Sequence, residues 1–194
     1  DYDVVHVHGI DGMFEFAAGL KRRRGQALLA TTHGLFFHTR WMAPLKQAYY
    51  RSITARQFSR FDAVIANSSA DAAMVAPYHP AVRIIANGVE PLAHSMSTGS
   101  RLLTVGRIAP HKRVDQLIEA LAQPALRDAH LDVVGPEWGV KIAALRAHAA
   151  NLGVAHRVVF HGAVDREALA RLALRSGVFV SASAYEGFGM ALVE

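Results

Sequence analysis

Short apolar runs rich in β-branched residues alternate along this chain with longer stretches whose apolar positions recur at helical spacing. A continuous apolar run of four to six residues suits a strand buried on both faces, as in a parallel sheet covered by helices. The pattern predicts strands at residues 3–8, 27–32, 63–67, 82–86, 102–105, 131–134, 158–160 and 178–181. Between them, Val114, Leu117, Ile118 and Leu121 share one helical face, while Ile142, Leu145 and Leu152 mark a second helix. A third helix is expected over residues 42–61. This is the alternation of an α/β fold. Residues 91–100, PLAHSMSTGS, break it with small and polar residues, Pro and Gly. They predict a division near residue 95 into two βα domains, 1–94 and 95–194.

Composition narrows the chemistry. With 194 residues and 52% hydrophobic content the chain can bury a core. It has no cysteine, so disulfides, thiolate metal sites and cysteine nucleophiles are excluded. A formal charge of +5 favours anionic partners without choosing among them. The densest basic run, KRRR at 21–24, has no interleaved aromatics for base stacking and reads as a solvated helix end, with an acidic membrane surface second. Nucleic acid is not an expected partner. No apolar run reaches the roughly 20 residues that span a bilayer. The opening DYDVVHVHG carries no initiator methionine and no signal-peptide pattern, so the sequence is expected to begin inside a longer chain. The lack of cysteine fits a reducing compartment, and a cytoplasmic location is expected.

In open α/β sheets, ligands bind beyond the carboxyl ends of the strands. Those ends are polar here: His6, His8 and Gly9; Thr32, His33 and Gly34; Asn67 and Ser68; Asn87 and Gly88 in the first half. The second half offers Gly106 and Arg107, Gly135 and Pro136, Gly162, and the stretch from Ser181 to Glu186. In VGRIAPHKR, Arg107 follows a strand directly and Lys112 comes five residues later, before a helix. A planar guanidinium fork with a lysine point charge suits a diphosphate. On that segment alone, two solvated cations fit equally well.

The last nine residues, EGFGMALVE, put Glu186 in a Gly-rich turn and Glu194 eight residues on. Eight residues of helix span about 12 Å, more than the roughly 5–9.5 Å between the carboxylates of a glycoside hydrolase. The spacing better suits two hydroxyl-bearing groups at opposite ends of an extended ligand, such as a sugar and a ribose joined by a diphosphate. Gly187 and Gly189, flanking Phe188, would let backbone amides approach that ligand closely.

These segments in order, VGRIAPHKRVDQLIEAL, LDVVGPEWG, RVVFHGAV and SASAYEGFGMALVE, resemble the carboxyl-terminal domain of family-4 retaining glycosyltransferases of the GT-B fold. The first half agrees through DVVHVHG, TTHG, VIANSSA and IIANGVE. The resemblance implies two facing Rossmann-like domains, an acceptor-side one (1–94) and a nucleotide-sugar-binding one (95–194), both incomplete at the chain's ends. It further implies that Arg107 and Lys112 bind the donor diphosphate, that Glu186 contacts the donor sugar, and that Glu194 binds the ribose. His33 would lie near the transferred sugar, and the loops at Gly135 and from Gly162 to Val164 would meet the base. The activity implied is metal-independent transfer of a hexose, with retention, from a nucleoside-diphosphate sugar to a hydroxyl acceptor, without a further cofactor. That acceptor is a glycan, a small molecule or a lipid-linked group, the last with peripheral contact at the inner membrane surface. Similar enzymes extend beyond both ends, so weak or no activity is expected of these 194 residues alone.

Other readings compete. His6 and His8, two apart on a strand, resemble the HxH pair of amidohydrolase-type metal sites, which needs further histidines and an aspartate at later strand ends. A non-catalytic nucleotide-binding module would account for GFGM but has no need of His33 and Glu186. Within the fold, a sugar phosphorylase or a nucleotide-sugar epimerase is the nearest alternative. DYD at the start precedes a strand instead of following one, and neither a Walker A sequence nor GxGxxG occurs. The residues 42–61, with Tyr49, Tyr50 and Phe58 beside Arg51, Arg56 and Arg60, fit a packed helix or an amphipathic membrane-surface element.

Overall fold

A computed structural model describes residues 2–20, 25–34, 43–91, 99–184, 186 and 189–193. The basic run at 21–24, most of the expected linker, Gly187, Phe188 and Glu194 lie outside the described residues. The chain forms two compact units, Asp1–Gly88 with Glu186–Gly189, and Val89–Tyr185 with Met190–Glu194.

The first unit holds β1 (Val4–His8), α1 (Gly12–Gly19), β2 (Ala27–Thr31), α2 (Ala43–Tyr49), α3 (Ala55–Gln57), β3 (Ala63–Ala66), α4 (Ser69–Val75) and β4 (Val82–Ile84). All four strands are parallel, in the order β1-β2-β3-β4. Parallel neighbours need a crossover, and the helical segments between the strands supply it. Phe14 of α1 packs at 4.5 Å against Phe61 and at 4.9 Å against Phe58, over Val64 and Val75. Asp11 caps α1 through the Met13 amide, and Ser68 caps α4 through the Asp71 amide. The expected helix at 42–61 is not uniform: a wide π turn, Tyr50–Thr54, joins α2 to α3, and Phe58–Arg60 closes as a 3-10 turn. The widened turn keeps Tyr50, Thr54, Ala55 and Phe58 all buried.

The second unit holds β5 (Arg101–Val105), α5 (Val114–Leu121), β6 (His130–Val134), α6 (Ile142–Asn151), β7 (Val158–Gly162), α7 (Arg166–Arg175), β8 (Val178–Phe179) and α8 (Met190–Val193). Its parallel sheet has the order β7-β6-β5-β8. Val114, Ile118 and Leu121 of α5 and Leu145 and Ala149 of α6 bury against one face with Leu131 and Val133. Leu172 of α7 packs against Leu103 and Val134 on the other. β7 runs two residues further than its apolar run predicts, because a register shift at Val133/Val134 brings Gly162 opposite Val134.

The apolar run of β6 hides a carboxylate. Asp132 is fully buried on the α7 side, with Arg101 Nη1 at 2.8 Å, His161 Nε2 at 2.6 Å and Arg175 Nη2 at 3.4 Å. Burial pushes its carboxyl up, but hydrogen bonds from His161 and Arg101 and the charges of both arginines outweigh it and hold it below the usual carboxylate range. Among the described residues no helix is long and apolar enough to cross a membrane.

Candidate functional site

The second sheet reverses direction at β5: the chain moves from β5 to β6 on one side and later returns to β8 on the other. That is a topological switch point, where loops at the carboxyl ends part and leave a crevice. A small recess opens there, lined by Gly106, Arg107, Lys112, Ser181 and Ser183. Among the described residues the first sheet runs in the simple order β1-β2-β3-β4.

Backbone hydrogen bonds tie the loops around the recess together. The Gly106 amide donates to Val134 and the Gly135 amide to Gly162, at 2.9 and 2.7 Å. Past the strand ends, Ile108 donates to Pro136 and accepts from Trp138, and the Ala184 amide donates to His111. The loops after β5, β6, β7 and β8 are therefore one assembly. Gly135 is required where two of them touch, since a Cβ there would lie 1.9 Å from the Gly106 carbonyl oxygen, and its φ is +140°.

Lys112 closes the 3-10 turn Pro110–Lys112 and folds back beside Gly106, where its Nζ would stand 3.6 Å from a Cβ. Arg113, before α5, is left-handed at φ +50°, one of two such non-glycine residues among those described. Arg107 is exposed, with its guanidinium carbon 4.8 Å from the centre of the Trp138 ring. Arg107, Lys112, Gly135 and Gly162 thus gather at one end of the sheet. Val164 turns its side chain into the small core with Leu103, Val134 and Leu172. Glu186 is half-buried and Gly189, just before α8, has φ +72°.

In the first unit the TTHG, ANSSA and ANG segments meet in a buried polar network. Asp71 accepts from the Thr32 hydroxyl at 2.6 Å and the Gly34 amide at 3.1 Å, and Asn67 accepts from the His33 amide at 2.8 Å. Asn67 also donates to Asn87, at 2.6 Å. Thr32, Asn67 and Asp71 are buried. Together they hold His33 at φ +46°, a conformation costing a non-glycine residue about 1–2 kcal/mol. His33 Nε2 is 2.7 Å from His8 Nδ1, and His6 Nε2 is 2.7 Å from Thr31 Oγ1. Burial, then the charge of His8, lowers the pKa of both His6 and His33, so these two imidazoles favour the neutral form.

His6 and His8 do lie close, with ring centres 4.2 Å apart, but the nitrogens named above face hydrogen-bond partners. Among the described residues no group of three or more His, Cys, Asp or Glu is arranged to hold a metal ion. Sequence reasoning did not single out Trp138, Asp71 or Asp132. An aromatic residue two beyond a strand-end Gly-Pro was the available signal for Trp138.

Two family profiles match the chain. Residues 95–194 match "Glycosyl transferases group 1" and residues 1–91 match "Glycosyltransferase Family 4". The chain is 32% identical over 202 aligned residues to a GDP-mannose:cellobiosyl-diphosphopolyprenol alpha-mannosyltransferase of Xanthomonas campestris, covering 99% of this chain and 53% of that protein. Among solved structures it is similar to sucrose-phosphate synthase of Thermosynechococcus elongatus, with TM-score 0.76, 22% identity and coverage of 98% of this chain and 52% of the other. It is also similar to HepE of Anabaena in complex with UDP-glucose, with TM-score 0.67, 20% identity and coverage of 87% and 50%. The chain spans about half the length of these relatives. The two Rossmann-like sheets are those of the GT-B fold, and the chain belongs to the group 1 glycosyl transferases.

Proposed function

We propose that this protein transfers a hexose, with retention and without a metal or further cofactor, from a nucleoside-diphosphate sugar to a hydroxyl acceptor. The observation that carries the reading is the gathering of Arg107, Lys112 and two backbone-exposing glycines at the switch point of the second sheet. Two cations there neutralise a departing diphosphate, which is the main electrostatic task in such a transfer. Glu186 holds the sugar hydroxyls and Glu194 the ribose, while His33 attends the transferred sugar, roles that follow from the motifs they occupy. The donor is GDP-mannose and the acceptor a glycan on a polyprenyl diphosphate, by likeness to the Xanthomonas relative's name. GDP-mannose carries an alpha-linked sugar, so an alpha product from it means retention. A hydrolase built on His6 and His8 is not favoured, given the family and the hydrogen-bonded rings.

Calorimetry with GDP and GDP-mannose, without metal, tests this. Arg107→Ala should weaken GDP binding about 10- to 100-fold, as for a lost charge-assisted hydrogen bond. Glu186→Ala should leave GDP almost unchanged and weaken GDP-mannose. Equal losses for both ligands in both variants contradict the assignment.

A lipid-linked acceptor asks the first unit to approach a membrane from the cytoplasmic side. α1 exposes Met13 and Phe16, with Leu20 exposed just past its end, and the helical segment from Ala43 to Arg60 exposes Leu45, Tyr49 and Ile53 at four-residue spacing. Tyr49 donates to Glu15, so the two patches are neighbours, and Arg51, Arg56 and Arg60 are exposed on the same segment. Apolar patches beside arginines suit an anionic bilayer surface. Sedimentation with phosphatidylglycerol vesicles should pull the protein down at low salt, and Phe16→Ser with Leu45→Ser should reduce it. No preference over phosphatidylcholine would sink the proposal.

A further inference from the structure

Trp138 is a large side chain left 59% exposed. Its ring lies under the Arg107 guanidinium at 4.8 Å, within the range of a cation–π contact. The backbone fixes both partners. Between the two residues, Ile108 is buried to 1% exposure, donating to Pro136 and accepting from Trp138 at 2.8 and 3.0 Å, so a short parallel ladder continues past the ends of β5 and β6.

The Trp138 side of this ladder is anchored a second time. Glu137 accepts from the Ile142 amide at 2.8 Å and from Lys141 Nζ at 3.0 Å, which ties the loop to the first turn of α6. The amide bond first, then the lysine, keeps its carboxyl below the usual range, so the tie persists through neutral pH. On the other side of Trp138, Gly139 at φ +81° brings the loop against the Pro110 ring, where a Cβ would meet Cδ at 3.5 Å.

We infer that Trp138 is a positioning residue for donor binding: its ring holds the Arg107 guanidinium over the recess so that the diphosphate meets an ordered fork. This rests on the donor reading proposed above. An arginine exposed on a loop otherwise samples many rotamers, and ordering it on binding costs affinity. A ring already beneath the guanidinium removes part of that cost before the ligand arrives. The planar cation keeps its edge donors free, because the ring engages only its face.

A double-mutant cycle on this protein tests the coupling, with GDP and inorganic pyrophosphate as probes in calorimetry. Trp138→Ala should weaken both ligands roughly three- to five-fold, the size of an exposed cation–π contact. Trp138→Phe should restore most of the loss, and Trp138→Ala should cost nothing further in an Arg107→Ala background. Additive losses, or a loss for GDP with none for pyrophosphate, would overturn the inference, the latter meaning that the ring stacks on the base. Tryptophan emission gives a second readout: in a Trp41→Phe background, pyrophosphate should change the emission of Trp138, and no change would also overturn it. If wild-type protein binds neither probe, the donor reading itself falls, which is distinct from binding that occurs with additive losses.

Discussion

Alanine at Gly135 is expected to destabilise the second unit by about 2–5 kcal/mol, from backbone strain and from a forced separation of two loops. The added Cβ would lie 1.9 Å from the Gly106 carbonyl oxygen and 3.4 Å from the Arg107 amide nitrogen. Neither is a side chain that can swing aside, so the β5 and β6 ends must part. The same movement displaces Arg107, and GDP affinity should fall with stability. Urea denaturation followed by calorimetry checks both. Wild-type stability in Gly135→Ala would mean that the loops are not locked together as described.

Asp132→Asn should cost about 3 kcal/mol, the lower end for breaking a buried ion cluster, because Arg101 and Arg175 keep partial access to water. Asparagine preserves volume, so the loss reports charge and not a cavity. The pH dependence follows from the direction of the shift. A carboxyl whose folded pKa is depressed contributes fully above the unfolded value of about 3.9, and its contribution vanishes as pH falls through the folded value. The stability gap between wild type and Asp132→Asn should therefore be widest at neutral pH and close in strong acid. A gap that stays constant down to the acid transition would show that Asp132 is not held as an anion.

The eight strands among the described residues were legible as short β-branched runs, most plainly β6, whose doubly covered position keeps four of its five residues buried. Their ends were less so. β7 reaches Gly162 through a register shift on its neighbour, information that residues 158–160 do not contain. Arg107 and Lys112 could be picked out as a candidate pair because they are five residues apart and next to a strand end. Asp132 could not be understood that way: its partners stand 31, 29 and 43 residues away, on β5, β7 and α7, and only folding brings them together. The left-handed backbone of His33 was equally hidden, since what imposes it comes from Asn67 and Asp71 on the next strand and helix. Trp138 shows the same limit, because its partner is chosen by a ladder that only folding creates.

The network beneath His33 has a consequence for how the first unit breathes. Thr32, Asn67, Asp71 and Asn87 join the segments after β2, β3 and β4 to the first turn of α4. The strand end bearing His33 is thus no independent loop with its own low opening energy. To release its amides, the chain must part hydrogen bonds anchored in two other strands and a helix, so His33 and Gly34 open as members of that larger cooperative block.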